Sequence, residues 1–206
     1  MLPYLILARS IYSSDTGDSN SSERRVYKSV FMTAEHLDWV PKRGVVSIVG
    51  DYTFPLGTDK FLTQSRKRAF NRIIGTIGYC DPSILYGMPS EGVNLCVLAA
   101  ISQIDSVKTI YVNPCPGFFN YITEDSKELL RHLVSEGQTI TMHEKPQGLT
   151  KGTSMLKESL EYLANTSDAV FLVYDSNNTT KRFEEVQKLL SMYDDKVILV
   201  DYATQS

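Results

Sequence analysis

Ser83-Ile84-Leu85-Tyr86-Gly87-Met88-Pro89-Ser90-Glu91-Gly92-Val93-Asn94 runs on into Leu95-Cys96-Val97-Leu98-Ala99-Ala100-Ile101. A short apolar run stops at Gly87, a small polar turn carries one ionisable side chain, Glu91, and an almost wholly apolar segment of helical length follows. The pattern predicts a strand, a phosphate-sized loop and a buried helix. At such a junction in an open α/β sheet, the helix N-terminus offers unpaired N–H groups and the positive end of its dipole to an anion. Gly87 and Gly92 let backbone approach a ligand closely. A plain strand-to-helix turn would use the same glycines, and Glu91 would suit the helix dipole without any ligand.

Upstream, Val45-Val46-Ser47-Ile48-Val49 is an apolar strand ending at Gly50, as a central parallel strand reads when both faces are covered. Thr58 or Asp59 can cap a helix running to about Ile77. Leu62, Ala69, Phe70, Ile73, Ile74 and Ile77 share one face of it, and Arg66 lies among them. A guanidinium in an apolar stripe must reach a carboxylate, a phosphate or the solvent edge. Arg66 is therefore either a ligand contact or a snorkelling, ion-paired side chain. Arg68 and Arg72 flank the stripe, and Lys60 and Lys67 lie opposite it.

Downstream, the alternation continues. Lys108 to Asn113 is a strand broken by Pro114, and Thr123 to Glu136 is a helix terminated by Gly137. Gln138 to Glu144 alternates as a strand, Thr153 to Ala164 is a helix and Ala169 to Tyr174 a buried strand. Thr180 to Tyr193 is a helix and Val197 to Val200 a last strand. The expected fold class is α/β, Rossmann-like, with a mostly parallel sheet and helices on both faces. Residues 44–206 are read as this domain. Residues 1–43 are read as a β extension, with strands at Leu2 to Ile11 and Val26 to Met32 pairing as a hairpin around a mobile polar loop, 13–25. His36 and Trp39 are read as packing and surface residues of a connecting turn.

The chain has 206 residues, 42% apolar and 22% charged, enough for one good core. Its formal charge of −3 gives no global attraction to nucleic acid or an anionic membrane, so neither is the expected partner. Cys80, Cys96 and Cys115 form no metal-ligand spacing and no disulfide framework, which points to a reduced, cytoplasmic setting. Leu2 to Ala8 is too short to span a bilayer. The glycosylation-type triplets at Asn20, Asn165 and Asn178 therefore carry no weight.

The stretch Ile84 to Asn94, with Ala99-Ala100 beyond it, resembles the Gly-Gly-Ala-x-Gly-(Ile/Val)-Asp…Ala-Ala motif of the Rossmann-like SLOG superfamily, which holds DprA, YspA and the LOG phosphoribohydrolases. Ser167 to Ser176 followed by Thr179-Thr180 is similar to the YspA-type closing pattern: an apolar strand, an Asp-x-x-Ser loop and a Gly-Thr opening the next helix. The resemblance runs in order and spacing from Gly44 to Tyr202. Met88 replaces the second glycine, one residue is inserted before Gly92, Asn94 replaces the aspartate, and Thr179 stands where the family prefers glycine. The Pro-Gly-Gly-x-Gly-Thr-x-x-Glu motif of LOG enzymes is absent from the chain.

The resemblance implies that loops at the strand C-termini bind nucleotides or nucleotide-derived ligands, in some members with cleavage of an N-glycosidic bond. Carried onto this sequence, the ligand-binding residues are Gly50, Arg66, Gly87, Met88, Ser90, Gly92, Asn94, Asn113, Asp175, Ser176, Thr179 and Thr180. Glu91 is the catalytic candidate, stabilising an oxocarbenium-like centre or activating water. The alternatives are a non-catalytic sensor or sequestering protein for a nucleotide signal, and a DprA-like single-stranded DNA binder using Arg66, Arg68, Arg72 and the aromatics Tyr52, Phe54, Phe118 and Phe119. No cofactor is called for, and a homo-oligomer is expected.

Overall fold

The structure is a computed structural model that describes residues 37–50, 64–88, 90, 92–102, 104–118, 124–144, 152–177 and 179–201. The expected N-terminal hairpin and loop 13–25 lie outside the described residues, as do Lys60, Tyr52, Phe54 and Phe119.

Strands and helices alternate throughout. The order is β1 (Val45–Gly50), α1 (Gln64–Tyr79), β2 (Ile84–Gly87), α2 (Val93–Ile101), β3 (Lys108–Asn113), α3 (Glu124–Glu136), β4 (Gln138–Thr141), α4 (Gly152–Thr166), β5 (Ala169–Tyr174), α5 (Lys181–Leu190) and β6 (Val197–Asp201). The six strands form one sheet in the order β4-β3-β2-β1-β5-β6, and every pair is parallel. The α/β, Rossmann-like expectation is met, with five helices among the described residues covering both faces.

Period-two alternation sends each strand to two cores. Val46 and Ile48 of β1, with Phe171 and Val173 of β5, face a core shared with Phe70, Ile73, Ile74 and Ile77 of α1, all of α2 except Asn94, and Leu129 and Leu133 of α3. Val49, Met88, Val112, Val170 and Leu172 face the other core, with Leu156, Leu160 and Leu163 of α4 and Phe183, Val186 and Leu190 of α5. Helix α2 is buried at all nine positions. A helix apolar on every side belongs in that environment. Leu37 and Val40, ahead of β1, pack into the first core, and Trp39 between them is 48% exposed.

Polar contacts tie the amino ends of the strands. Asp168 accepts the Val45 N–H at 2.8 Å, and the Ser47 hydroxyl, fully buried, meets Ser167 and the Leu163 carbonyl. The amino ends are thus closed by the protein's own groups. The chain steps outward from β1 through β2 and β3 to β4, then crosses back over the sheet to β5 on the other side of β1. That reversal falls between β1 and β5, and open α/β sheets bind ligands beyond the carboxyl ends of the strands at such a point.

Candidate functional site

Gly50, Gly87, Asn113, Tyr174 and Asp201 close five of the strands at this carboxyl edge. Between β2 and α2 the chain makes a tight turn. Ser90 donates its N–H to the Met88 carbonyl at 2.7 Å, and the Asn94 amide donates to the Ser90 hydroxyl at 2.9 Å. Both side chains are sealed in, Ser90 at 3% exposure and Asn94 at 1%. Gly92 precedes the helix with φ 89° and ψ −144°, a conformation that a side chain disfavours. Having no side chain, it leaves α2 without the kind of cap that Thr180 gives α5, where the hydroxyl accepts the Phe183 N–H at 3.1 Å.

The neighbouring glycines meet protein rather than open space. A Cβ on Gly50 would lie 2.9 Å from Val93 Cβ and 3.0 Å from Asn94 Oδ1, so α2 starts against the end of β1. A Cβ on Gly87 would touch Leu98 and Ile48 at 3.0–3.1 Å. Met88 is packed into the core under α4 and α5. One atom at this junction is unsatisfied: Asn94 Oδ1 is buried and has no hydrogen-bond partner. A buried polar atom without a partner costs about 1–3 kcal/mol.

The β5 side carries carboxylates. Asp175 accepts the Asn177 N–H at 3.0 Å in an Asx turn, and Asp201 accepts the Ser176 N–H at 3.1 Å. Arg72 donates to the Asp201 carbonyl at 3.3 Å. Tyr174 stacks on Phe183 with ring centroids 4.8 Å apart. Burial first, and the Asp201 charge second, raise the Tyr174 hydroxyl's pKa. Thr179 is exposed, and Thr180 serves as the cap.

The structure thus brings together Gly50, Ser90, Gly92 and Asn94. It sets Asp175, Ser176, Thr179 and Thr180 on the far side of β1, at the next strand's end. Asn113 stands one strand beyond β2, and its Oδ1 is also buried and unpartnered. Glu91 lies outside the described residues. Arg66 belongs to the first turn of α1, and its side chain is likewise outside them. One arrangement escaped the sequence reading: His143, just past β4, meets Glu158 of α4 at 2.8 Å, and Ser154 donates to the same carboxylate at 3.1 Å. These residues match no motif, and the 15-residue separation of His143 from Glu158 spans the connection from β4 to α4, so the fold reveals the pair. Among the described residues, no helix is long and apolar enough to cross a membrane.

No protein-family model matches the chain. No curated protein matches it either. Its fold is that of a doubly wound, Rossmann-like α/β protein. Among solved structures, it is similar to DNA processing protein A from Helicobacter pylori, whose structure was determined for its unique single-stranded DNA binding mode. The TM-score is 0.51 at 15% identity, over 77% of this chain and 65% of that one, less than two thirds of the latter's length. At this identity the likeness speaks for a shared, DprA-like fold.

This finding corrects the expectation, drawn from net charge, that nucleic acid is not the expected partner, and it bears on the single-stranded DNA alternative. A protein of this fold binds single-stranded DNA. Sites for single strands depend on a local groove and stacking groups, which the formal charge of a whole chain does not register.

Proposed function

We propose that the chain binds a phosphorylated nucleoside or nucleotide-derived ligand at the carboxyl ends of β1, β2 and β5. One observation carries the reading: the buried, unpartnered Oδ1 of Asn94 at the N-terminus of α2, beside Gly50. The helix end supplies N–H donors and a positive dipole for an anion. Asn94 Oδ1 asks for a donor, which a ribose hydroxyl or a base amino group provides. A phosphorylated nucleoside has both. The DprA, YspA and LOG resemblance of the same loop supports this choice, and it carries Glu91 as the catalytic candidate if the glycosidic bond is cleaved.

Asn94→Leu tests the site. The change removes an unsatisfied acceptor while keeping the branched side-chain skeleton, and Ser90 retains the Met88 carbonyl; the larger methyl groups add overpacking, so the stability loss should stay within about 1–3 kcal/mol. Affinity for AMP, GMP, CMP and UMP, measured by titration calorimetry, should fall about tenfold for whichever the wild type binds. A variant that binds as wild type does would move the ligand elsewhere.

A second reading, single-stranded DNA binding, is favoured by the structural neighbour's own activity. Filter binding of an oligothymidylate across a salt series separates the two. Binding that weakens steeply with salt, roughly in proportion to the phosphates engaged, supports the strand reading.

A further inference from the structure

We infer that His143 transfers a proton on the ligand bound at the carboxyl edge, with Glu158 and Ser154 holding its ring; this rests on the nucleotide-binding reading. His143 is fixed from several sides. Its N–H donates to the Pro114 carbonyl at 3.1 Å, and the preceding Met142 N–H donates to the Asn113 carbonyl at 2.9 Å, which extends the β3–β4 pairing past the strand end. Its Nε2 meets Glu158 Oε2 at 2.8 Å, and Ser154 Oγ donates to Glu158 Oε1 at 3.1 Å. A carboxylate oxygen accepts, so Nε2 carries the hydrogen and Nδ1 is left as the basic nitrogen of the neutral ring. A base oriented by a carboxylate that is itself held by a third group is the arrangement used for general base catalysis.

The dyad is open to a ligand. The His143 and Glu158 side chains are 34% and 44% exposed. They stand at the same edge of the sheet as the α2 N-terminus, since α4 begins where the connection from β4 ends. In the plane of the sheet β4 lies two strand spacings, roughly 10 Å, from β2, and α4 covers the opposite face from α2, so the two places meet only over the carboxyl edge. On this reading a nucleotide with its phosphate at α2 passes over the carboxyl ends of β2 and β3 to reach His143 on the α4 side.

The step is hydrolysis of an N-glycosidic bond. Water oxygen bonds to the anomeric carbon while one water proton passes to Nδ1 of His143. The bond from that carbon to the base nitrogen breaks, its electron pair stays on the base, and the imidazolium returns the proton to that nitrogen. Water is the only co-reactant, and nothing is oxidised.

The experiment measures base release by chromatography and affinity by calorimetry with AMP, GMP, CMP and UMP. For His143→Ala, kcat should fall at least about a hundredfold, as for loss of a general base, with affinity changed less than about threefold and an unaltered thermal melt. Added imidazole should restore part of the rate, which no structural role predicts. Glu158→Gln should lower kcat with KM unchanged, without rescue by imidazole. A wild type that binds a nucleotide but releases no base overturns the role of His143 and leaves the binding reading intact. A wild type that binds none of the nucleotides overturns both, and a fully active His143→Ala overturns the inference alone.

Discussion

Replacing Gly50 by alanine tests how closely α2 is seated on the sheet, and with it the position of Asn94. The new Cβ would lie 2.9 Å from both Val93 Cβ and Cγ1 and 3.0 Å from Asn94 Oδ1. Val93 Cβ is fixed to the helix backbone, so no rotamer relieves the contact and the first turn of α2 must move. Overpacking of this kind costs about 1–3 kcal/mol. Gly50 does not have a positive φ, so alanine also gains about 0.4–1 kcal/mol from a less flexible unfolded chain. The net loss should be about 1–2 kcal/mol, which at about 2–4 °C per kcal/mol for a chain of this size lowers Tm by roughly 2–8 °C. Gly87→Ala is the internal control, because its close atoms are methyl ends of Leu98 and Ile48 at 3.0–3.1 Å, which can yield by side-chain adjustment. Thermal unfolding followed by circular dichroism, with nucleotide affinity on the same samples, should show Gly50→Ala losing more stability than Gly87→Ala, and losing binding as well. Equal melting temperatures for wild type and both variants would refute the seating of α2 from which the site is built.

Thr180→Ala should lower stability by about 1 kcal/mol, read as a lower urea midpoint with unchanged m, because the Thr180 hydroxyl caps α5 through the Phe183 N–H. Burial pushes the Cys80 thiol up to about 11 against the nearby Lys42 charge, so iodoacetamide at pH 8 should label it only as the chain unfolds. The same shift raises the folded pKa above the unfolded one. Its contribution to stability is thus complete below about pH 9 and is lost as pH rises toward 11, which denaturant titrations at both ends would detect.

The fold was legible because each layer left its own mark. Val45–Gly50, but for Ser47, and Ala169–Tyr174 are apolar runs since both faces of a parallel strand are covered, and Val93–Ile101 is apolar at every position but Asn94 because it is buried on every side. The site was legible only where backbone geometry demands a residue type. Gly92 could be read from sequence as a special position, and its φ of 89° gives the reason. Gly50 and Gly87 looked the same in sequence, yet the atoms around them are Val93, Asn94, Leu98 and Ile48, so their smallness serves helix–sheet packing. A string of residues does not say which surface a missing side chain faces. Nor could it pair His143 with Glu158, whose meeting depends on the chain leaving β4 and turning back over the sheet in α4. That crossing is forced by the topology: with β4 at one edge and β5 beside β1, the return helix must start near the outer strands and end near the centre. It begins with Ser154 and Glu158 at the ligand edge and ends with Leu163 and Ser167 against Ser47. The connection that completes the sheet therefore also places a carboxylate and a histidine at the same edge of the sheet as the N-terminus of α2.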